Sequence, residues 1–409
     1  MSKANYQSGK KQAIAAKPQF GEPQPTTDPT KFKVTHSSDT QHYNLMQKQV
    51  QPIPKPADPK NMVLQLDTVY SGAGADLIKN IKSAGKIVFH MGGDTGPTVG
   101  PKTIEAVVDK MIMDFEGEPN GETPSFFFHL GDVVYSFGES IYYYDQFFEP
   151  FRDYPAPILA IPGNHDGLSY KGDREPYMAA FLRNFVSPEP TQSPDAGALV
   201  RTTVSQPGVY FALEAPFVTI LGLYSNILED PGVISSEGGK LPITDEQLDF
   251  LKTQLARLKN SGQAIIIAVH HPPFVYGGSH GGSPTLLADL DACCKHAGVW
   301  PHAVISGHSH NYQRFSRTIN GHEIPYIVCG NSGHNLSQLK TKNATAIRAP
   351  QKINDTLIFE NYDDKNYGYL RVVCDGKMLR VEYHDAQPDE KTYSDAVTVD
   401  LKLHTIEAN

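Results

Sequence analysis

From residue 61 onward, short apolar runs alternate with polar clusters. The runs at 87–91 (IVFHM), 126–130 (FFFHL), 158–161 (ILAI), 218–224 (VTILGLY), 265–269 (IIIAV), 303–305 (AVI) and 324–328 (IPYIV) are rich in β-branched and aromatic residues. Strands buried on both faces read this way. Helical spacing lies between them. Residues 103–115 carry Ile104, Val107, Val108, Met111 and Ile112 at steps of three and four. Residues 244–259 open with Thr244 and, three positions on, Gln247, the pattern of a capping box. Leu248, Leu251, Leu255 and Leu258 then form one stripe, and 283–296 reads as another helix. Strands alternating with helices predict an α/β domain. After Asn366 the pattern changes. Residues 367–374 and 378–383 flank Asp375-Gly376 and predict a hairpin, with 398–403 as a further strand. They read as an antiparallel addition to a sheet, not as a separate domain.

Composition alters this picture at the N-terminus. Residues 1–60 hold nine Lys, no Arg, four acidic residues, eight Pro and eight Gln. Their local charge of +5 leaves −14 on the rest of a chain whose net charge is −9. Such a segment buries too little apolar surface to offset its ordering entropy. It is expected to be a disordered or extended basic arm, ahead of one domain at 61–409. The negative total argues against non-specific nucleic-acid binding. No apolar run approaches the roughly 18–20 residues of a membrane-spanning helix. Four cysteines in 409 residues exclude a disulfide scaffold, and buried free thiols fit a reducing compartment. As written, the chain shows no signal peptide and is expected in the cytoplasm; a processed or trimmed N-terminus would make it secreted or periplasmic.

The candidate chemistry sits where the runs end. GGDTG supplies Asp94, GDVVY supplies Asp132 and Tyr135, and PGNHD supplies Asn164, His165 and Asp166. HHPP supplies His270 and His271, and SGHSH supplies His308 and His310. Five strand ends thus deliver carboxylates, a phenol, an amide and imidazoles to one side of the sheet, where open α/β folds place their sites. These donors are too many for one closed zinc site, and none is a thiolate. They suit two ions roughly 3.5–4 Å apart that share a carboxylate and a bridging water or hydroxide, a device for hydrolysing phosphate esters.

In order, GDTG, GDVVY, GNHD, IAVH and GHSH resemble the signature blocks of the calcineurin-like metallophosphoesterases, and most of all their purple acid phosphatase branch. The resemblance implies a four-layer α/β/β/α sandwich of two mixed sheets flanked by helices. Most metallophosphoesterases open with Asp-x-His; here Gly96 stands where that histidine would be. The purple acid branch fills the gap with a tyrosine three residues after the second Asp, and Tyr135 stands there. Carried over, Asp132 bridges the ions, and Asp94, Tyr135 and His310 join it on Fe(III). Asn164, His270 and His308 hold a divalent ion, which could be Fe, Zn or Mn. His165 faces the substrate and protonates the leaving group. The sequence alone does not force the choice between His270 and His271; the family pattern puts the ligand two residues before a proline, which selects His270. A tyrosine titrates near pH 10, so binding as phenolate at neutral pH needs roughly three pK units, about 4 kcal/mol. A trivalent ion supplies this far better than a divalent one.

The segments 167–208 and 277–282 (GGSHGG) are expected to frame the mouth of the site, with His280 and His334 as candidates for contacting phosphate. The expected substrate is a small phosphate monoester, with no nucleic acid and no obligate protein partner. A phosphodiesterase working on nucleotides or phospholipids with two divalent ions is the alternative. A non-catalytic interaction protein on the same fold is a third reading.

Overall fold

The computed structural model describes residues 41–407, apart from 57, 99, 118–120, 169–175, 230, 279, 341–346 and 388–391. The apolar runs form the middles of two mixed sheets. One has seven strands, in the order Thr405–Ile406, Asp395–Asp400, Met378–Asp385, Gly368–Asp375, Lys86–Gly92, Phe127–His129 and Ile158–Ala160. Its last three strands are parallel, and the C-terminal hairpin joins antiparallel along Lys86–Gly92. The other has nine strands, in the order Val63–Gln65, Phe211–Ala215, Val218–Leu223, Ala264–Val269, Ala303–Ser306, His322–Cys329, Tyr312–Ile319, Leu357–Asp363 and Gln351–Asn354. Its centre, from Val218–Leu223 to His322–Cys329, is parallel.

Alternation along Lys86–Gly92 shows how the layers form. Ile87, Phe89 and Met91 enter a core that also contains Phe128, Leu159, Leu370, Phe211, Ile220, Ile266 and Ile305, drawn from both sheets. The sheets close tightly there: a Cβ on Gly222 would lie 2.8 Å from Ile161 Cγ2. On the outer faces, Lys102–Met113 packs on Gly368–Asp375, and Glu246–Leu258 packs on Val218–Leu223 beside Pro284–Ala297. Helix, sheet, sheet and helix are the four layers that the resemblance implies.

Three local expectations change. Gln247 is not a capping-box partner of Thr244. Residue Asp245 occupies the helix N-cap position, without a side-chain cap. Gln247 is buried, accepts from Tyr224 N–H and donates to the carbonyls of Tyr224 and Ile234, pinning the end of a neighbouring strand. The strand expected at 398–403 is Asp395–Asp400; the Asp400 carboxylate accepts from the N–H groups of Lys402 and Leu403 and turns the chain. The strand ends that bear the candidate ligands belong to two facing sheets rather than to one. Of the predicted arm, residues 1–40 lie outside the described residues. Further along it, Gln51 is buried and its N–H donates to Ile227. The segment 167–208 lies partly outside them as well.

Candidate metal centre

Lys86–Gly92, Phe127–His129 and Ile158–Ala160 run parallel and release Asp94, Asp132 and Asn164 from their C-terminal ends. Ala264–Val269 and Ala303–Ser306, in the facing sheet, release His270, His308 and His310. Asp94, Asp132 and His308 have φ of 59°, 56° and 67°. Left-handed backbone is uncommon for residues with a side chain and is found disproportionately at functional sites. The turns are held by backbone bonds from one loop to the next: Asp94 N–H to Gly131 O, Thr95 N–H to Asp132 O and Gly307 N–H to His270 O. They leave no room between them. A Cβ on Gly163 would lie 2.1 Å from Asp132 Oδ1 and 2.4 Å from Asp132 N.

The side chains meet in two groups. In the first, the Tyr135 hydroxyl is 3.0 Å from Asp94 Oδ1, 2.9 Å from Asp132 Oδ2 and 3.2 Å from His310 Nε2. In the second, Asn164 Oδ1 is 2.9 Å from His270 Nε2 and 3.0 Å from His308 Nδ1. Asp132 touches both, since its Oδ2 is also 3.4 Å from His270 Nε2. Donors about 2.0–2.2 Å from a common ion and near a right angle apart stand about 3 Å from one another, so this spacing suits metal ions. Asp94, Asp132 and His270 each offer a ligand atom within 4.8 Å of the others, and all three are buried.

The charge gathered here also suits cations. A single Tyr135 hydroxyl proton faces two carboxylates and an imidazole. Among the described residues, the ion-pair partners of Asp94 and Asp132 are His310 and His270. Buried carboxylates are costly unless positive charge is held beside them. Burial pushes the Asp132 carboxyl up, but His270 and His165 outweigh it and hold the group well below the usual range. Burial pushes His270 down, yet Asp132 raises it to about 9. Burial, with Asp132 and Asp94 adding to it, pushes the Tyr135 phenol well above its usual value.

Several contacts orient these groups. His270 Nδ1 is 2.9 Å from Leu130 O, so Nδ1–H donates there and Nε2 faces the centre. Asn164 Nδ2 donates to Glu229 Oε1 at 3.0 Å, which turns its Oδ1 inward. The His165 N–H donates to Asp132 Oδ1, and its ring donates from Nδ1 to Ser136 O at 2.7 Å rather than to Asp166. The His165 ring lies 4.3 Å from that of Tyr135, and burial lowers its pKa. His271 pairs through Nδ1 with Ser225 Oγ and packs on His308. His280 is half-buried with its ring 4.4 Å from that of His308, and burial, with His310 and His165, lowers it to about 4. His334 lies flat on the Tyr135 ring, centroids 3.7 Å apart, with Nδ1 against Gly96 O.

Sequence reasoning gave no role to three of the supports. Glu229 is one. Asp166 is another: its carboxylate accepts from the N–H groups of Val133, Val134 and Gly163, tying the second motif to the third. Burial and Asp132 raise it to about 7. The third is Gln146, whose amide grips the Tyr135 backbone. Asp166 stands inside a quoted motif, but Glu229 and Gln146 lie in no motif and become neighbours only in the fold.

A family model described as calcineurin-like phosphoesterase matches residues 32–312. No curated protein matches the chain. Solved structures with a related course include GAP50, the anchor in the inner membrane complex of Plasmodium, at 15% identity over 77% of this chain and 88% of that one, with a TM-score of 0.48. PhoD matches at 13% identity over 79% of this chain and 71% of that one, TM-score 0.47. A dimetal phosphatase from Danio rerio matches at 10% identity over 77% and 99%, TM-score 0.45. No helix among the described residues is long and apolar enough to cross a membrane.

Proposed function

The chain belongs to the calcineurin-like phosphoesterases, and on that premise we propose that it is a binuclear phosphomonoesterase of the purple acid phosphatase type. The observation that carries the proposal is the meeting of the Tyr135 hydroxyl with Asp94, Asp132 and His310. A Cβ on Gly96 would lie 2.6 Å from Gln146 Oε1, 2.8 Å from Val133 O and 3.0 Å from Tyr135 Cδ2, so the tyrosine and its surroundings fill the room that a side chain at 96 would need. A buried phenol beside two carboxylates gives up its proton only to a strong Lewis acid. That chemistry favours Fe(III) for the group of Asp94, Asp132, Tyr135 and His310. Asp132, Asn164, His270 and His308 form a softer, mostly neutral set suited to a divalent ion such as Fe, Zn or Mn.

When bound, two such ions acidify a shared water and neutralise phosphoryl oxygens. The chain does the rest. Asp132, which touches both groups of donors, would hold both ions. His165 keeps its Nδ1 proton on Ser136 O, so Nε2 is the nitrogen that exchanges a proton with the leaving-group oxygen. Its buried, neutral resting state gains that proton most readily in acid, or when a phosphate dianion lies against the ring. His280 and His334 stand over the second and first groups, where they would meet the outer phosphate oxygens.

A visible absorption spectrum, with metal content from the same sample, tests this reading. A broad tyrosinate-to-iron band that vanishes in Tyr135→Phe is the expected result. A protein with two divalent ions that stays colourless after mild oxidation with iron supplied would overturn it and favour a phosphodiesterase. Turnover of a nitrophenyl monoester against its bis-ester separates the two substrate classes.

A further inference from the structure

Gln146 is fully buried, and its amide lies along the Tyr135 peptide. The Tyr135 N–H donates to Oε1 at 2.8 Å, and Nε2 donates to the Tyr135 carbonyl at 3.1 Å. One side chain thus satisfies both backbone groups of a buried residue that no strand accompanies, and so fixes where that residue stands. Gln146 belongs to the π-helical turn Tyr144–Phe148, in which Glu149 N–H reaches back to Tyr144 O. Turns of this kind hold an extra residue and occur frequently at functional sites. The preceding peptides of the same loop, Val133 and Val134, are held by Asp166 instead. A Cβ on Gly96 would also lie 2.6 Å from Gln146 Oε1. The bare position at 96, the tyrosine and the glutamine therefore form one packing arrangement.

We infer that Gln146 is the positioning residue for Tyr135, and that it sets the affinity and selectivity of the first ion site without touching ion or substrate. The inference rests on the reading above that Tyr135 binds metal. It separates two tasks that a general stabilising role would merge. Losing the glutamine lets the phenol oxygen drift from Asp94, Asp132 and His310, while Asn164 and His270, supported by Glu229 and Leu130, and His308, packed on His271, keep their places.

The test compares the wild type with Gln146→Met, which keeps the length of the side chain and loses both bonds. Gln146→Glu, which retains an acceptor for the Tyr135 N–H, is the second variant. Each protein, freed of metal by a chelator, is titrated with Fe(III) as a nitrilotriacetate complex and, separately, with Zn(II). Binding and the visible band are both recorded. The expected result is ferric binding weaker by about 10–100-fold in Gln146→Met, the range usual for groups that support a ligand. The ferric band should shift or broaden, zinc binding should not change, and Gln146→Glu should fall between the two. Ferric binding and a band like those of the wild type in Gln146→Met would overturn the inference and leave the role of Tyr135 intact. So would equal losses of both ions. If Gln146→Met fails to fold, Gln146→Glu decides by the same ferric-to-zinc comparison. A Tyr135→Phe protein that binds iron like the wild type would instead remove the premise, and the inference with it.

Discussion

At the scale of the residue, the centre brings two buried carboxylates, a phenol, an amide and imidazoles within about 3 Å of one another. His165 is the side chain whose role is easiest to isolate, because its ring hydrogen-bonds to a carbonyl while its backbone N–H holds Asp132. Replacing it with alanine leaves that N–H in place. His165→Ala should keep both metals and lose roughly 10²–10⁴-fold in kcat, as expected for loss of a general acid. Metal analysis beside steady-state kinetics checks this, and full activity in the variant would remove the assignment. Every proposed ligand was named from the sequence through the motifs that carry the resemblance, and the fold brings these side chains into two groups. Glu229 and Gln146 were not named, because an amide or carboxylate that acts on another loop leaves no spacing to read.

Elements explain why the donors meet. Three parallel strands end together and the loops that follow them interlock, with glycine where no side chain fits. Gly163→Ala pushes a methyl group into Asp132, both its backbone N and its carboxylate. The expected outcome is a folded protein that is less stable by about 1–3 kcal/mol, the usual cost of overpacking, and that binds neither metal. Urea unfolding and metal content measure the two effects separately. The same scale shows what the sequence hid. Runs such as Ala264–Val269 are buried along their whole length and announce themselves. Tyr312–Ile319 does not, because it carries Gln313, Arg314 and Arg317 into a largely buried sheet. Those groups are satisfied by Tyr276, Asp395 and Asp291, each distant in sequence. Gln351–Asn354 is exposed at every position, so its pattern reads as loop.

For the whole molecule, the two sheets are joined at the centre and again at a histidine cluster remote from it. His302 accepts from Ile265 N–H through Nδ1 and stacks on His404, whose Nε2 donates to Pro301 O. Burial pushes His302 down to about 4. Unfolded, it would take up a proton near pH 6.5. Between those values protons favour the unfolded chain, so stability falls as pH drops, by about 1.4 kcal/mol per pH unit for one such group. His302→Asn keeps an acceptor for Ile265 and cannot titrate. Urea unfolding of chelator-treated protein across that range should show a shallower slope in the variant by about one proton; an unchanged slope would place the titration elsewhere. The order of the strands has a further consequence, for the birth of the chain. Lys86–Gly92, which leads to Asp94, is completed on one side by Phe127–His129 and on the other by Gly368–Asp375. A nascent polypeptide leaves the ribosome with that strand half-paired, and residue 375 must be made before its second edge is covered. The proposed ligands, which span Asp94 to His310, therefore settle only when synthesis is well advanced. Any metal the centre takes would thus enter a nearly finished protein.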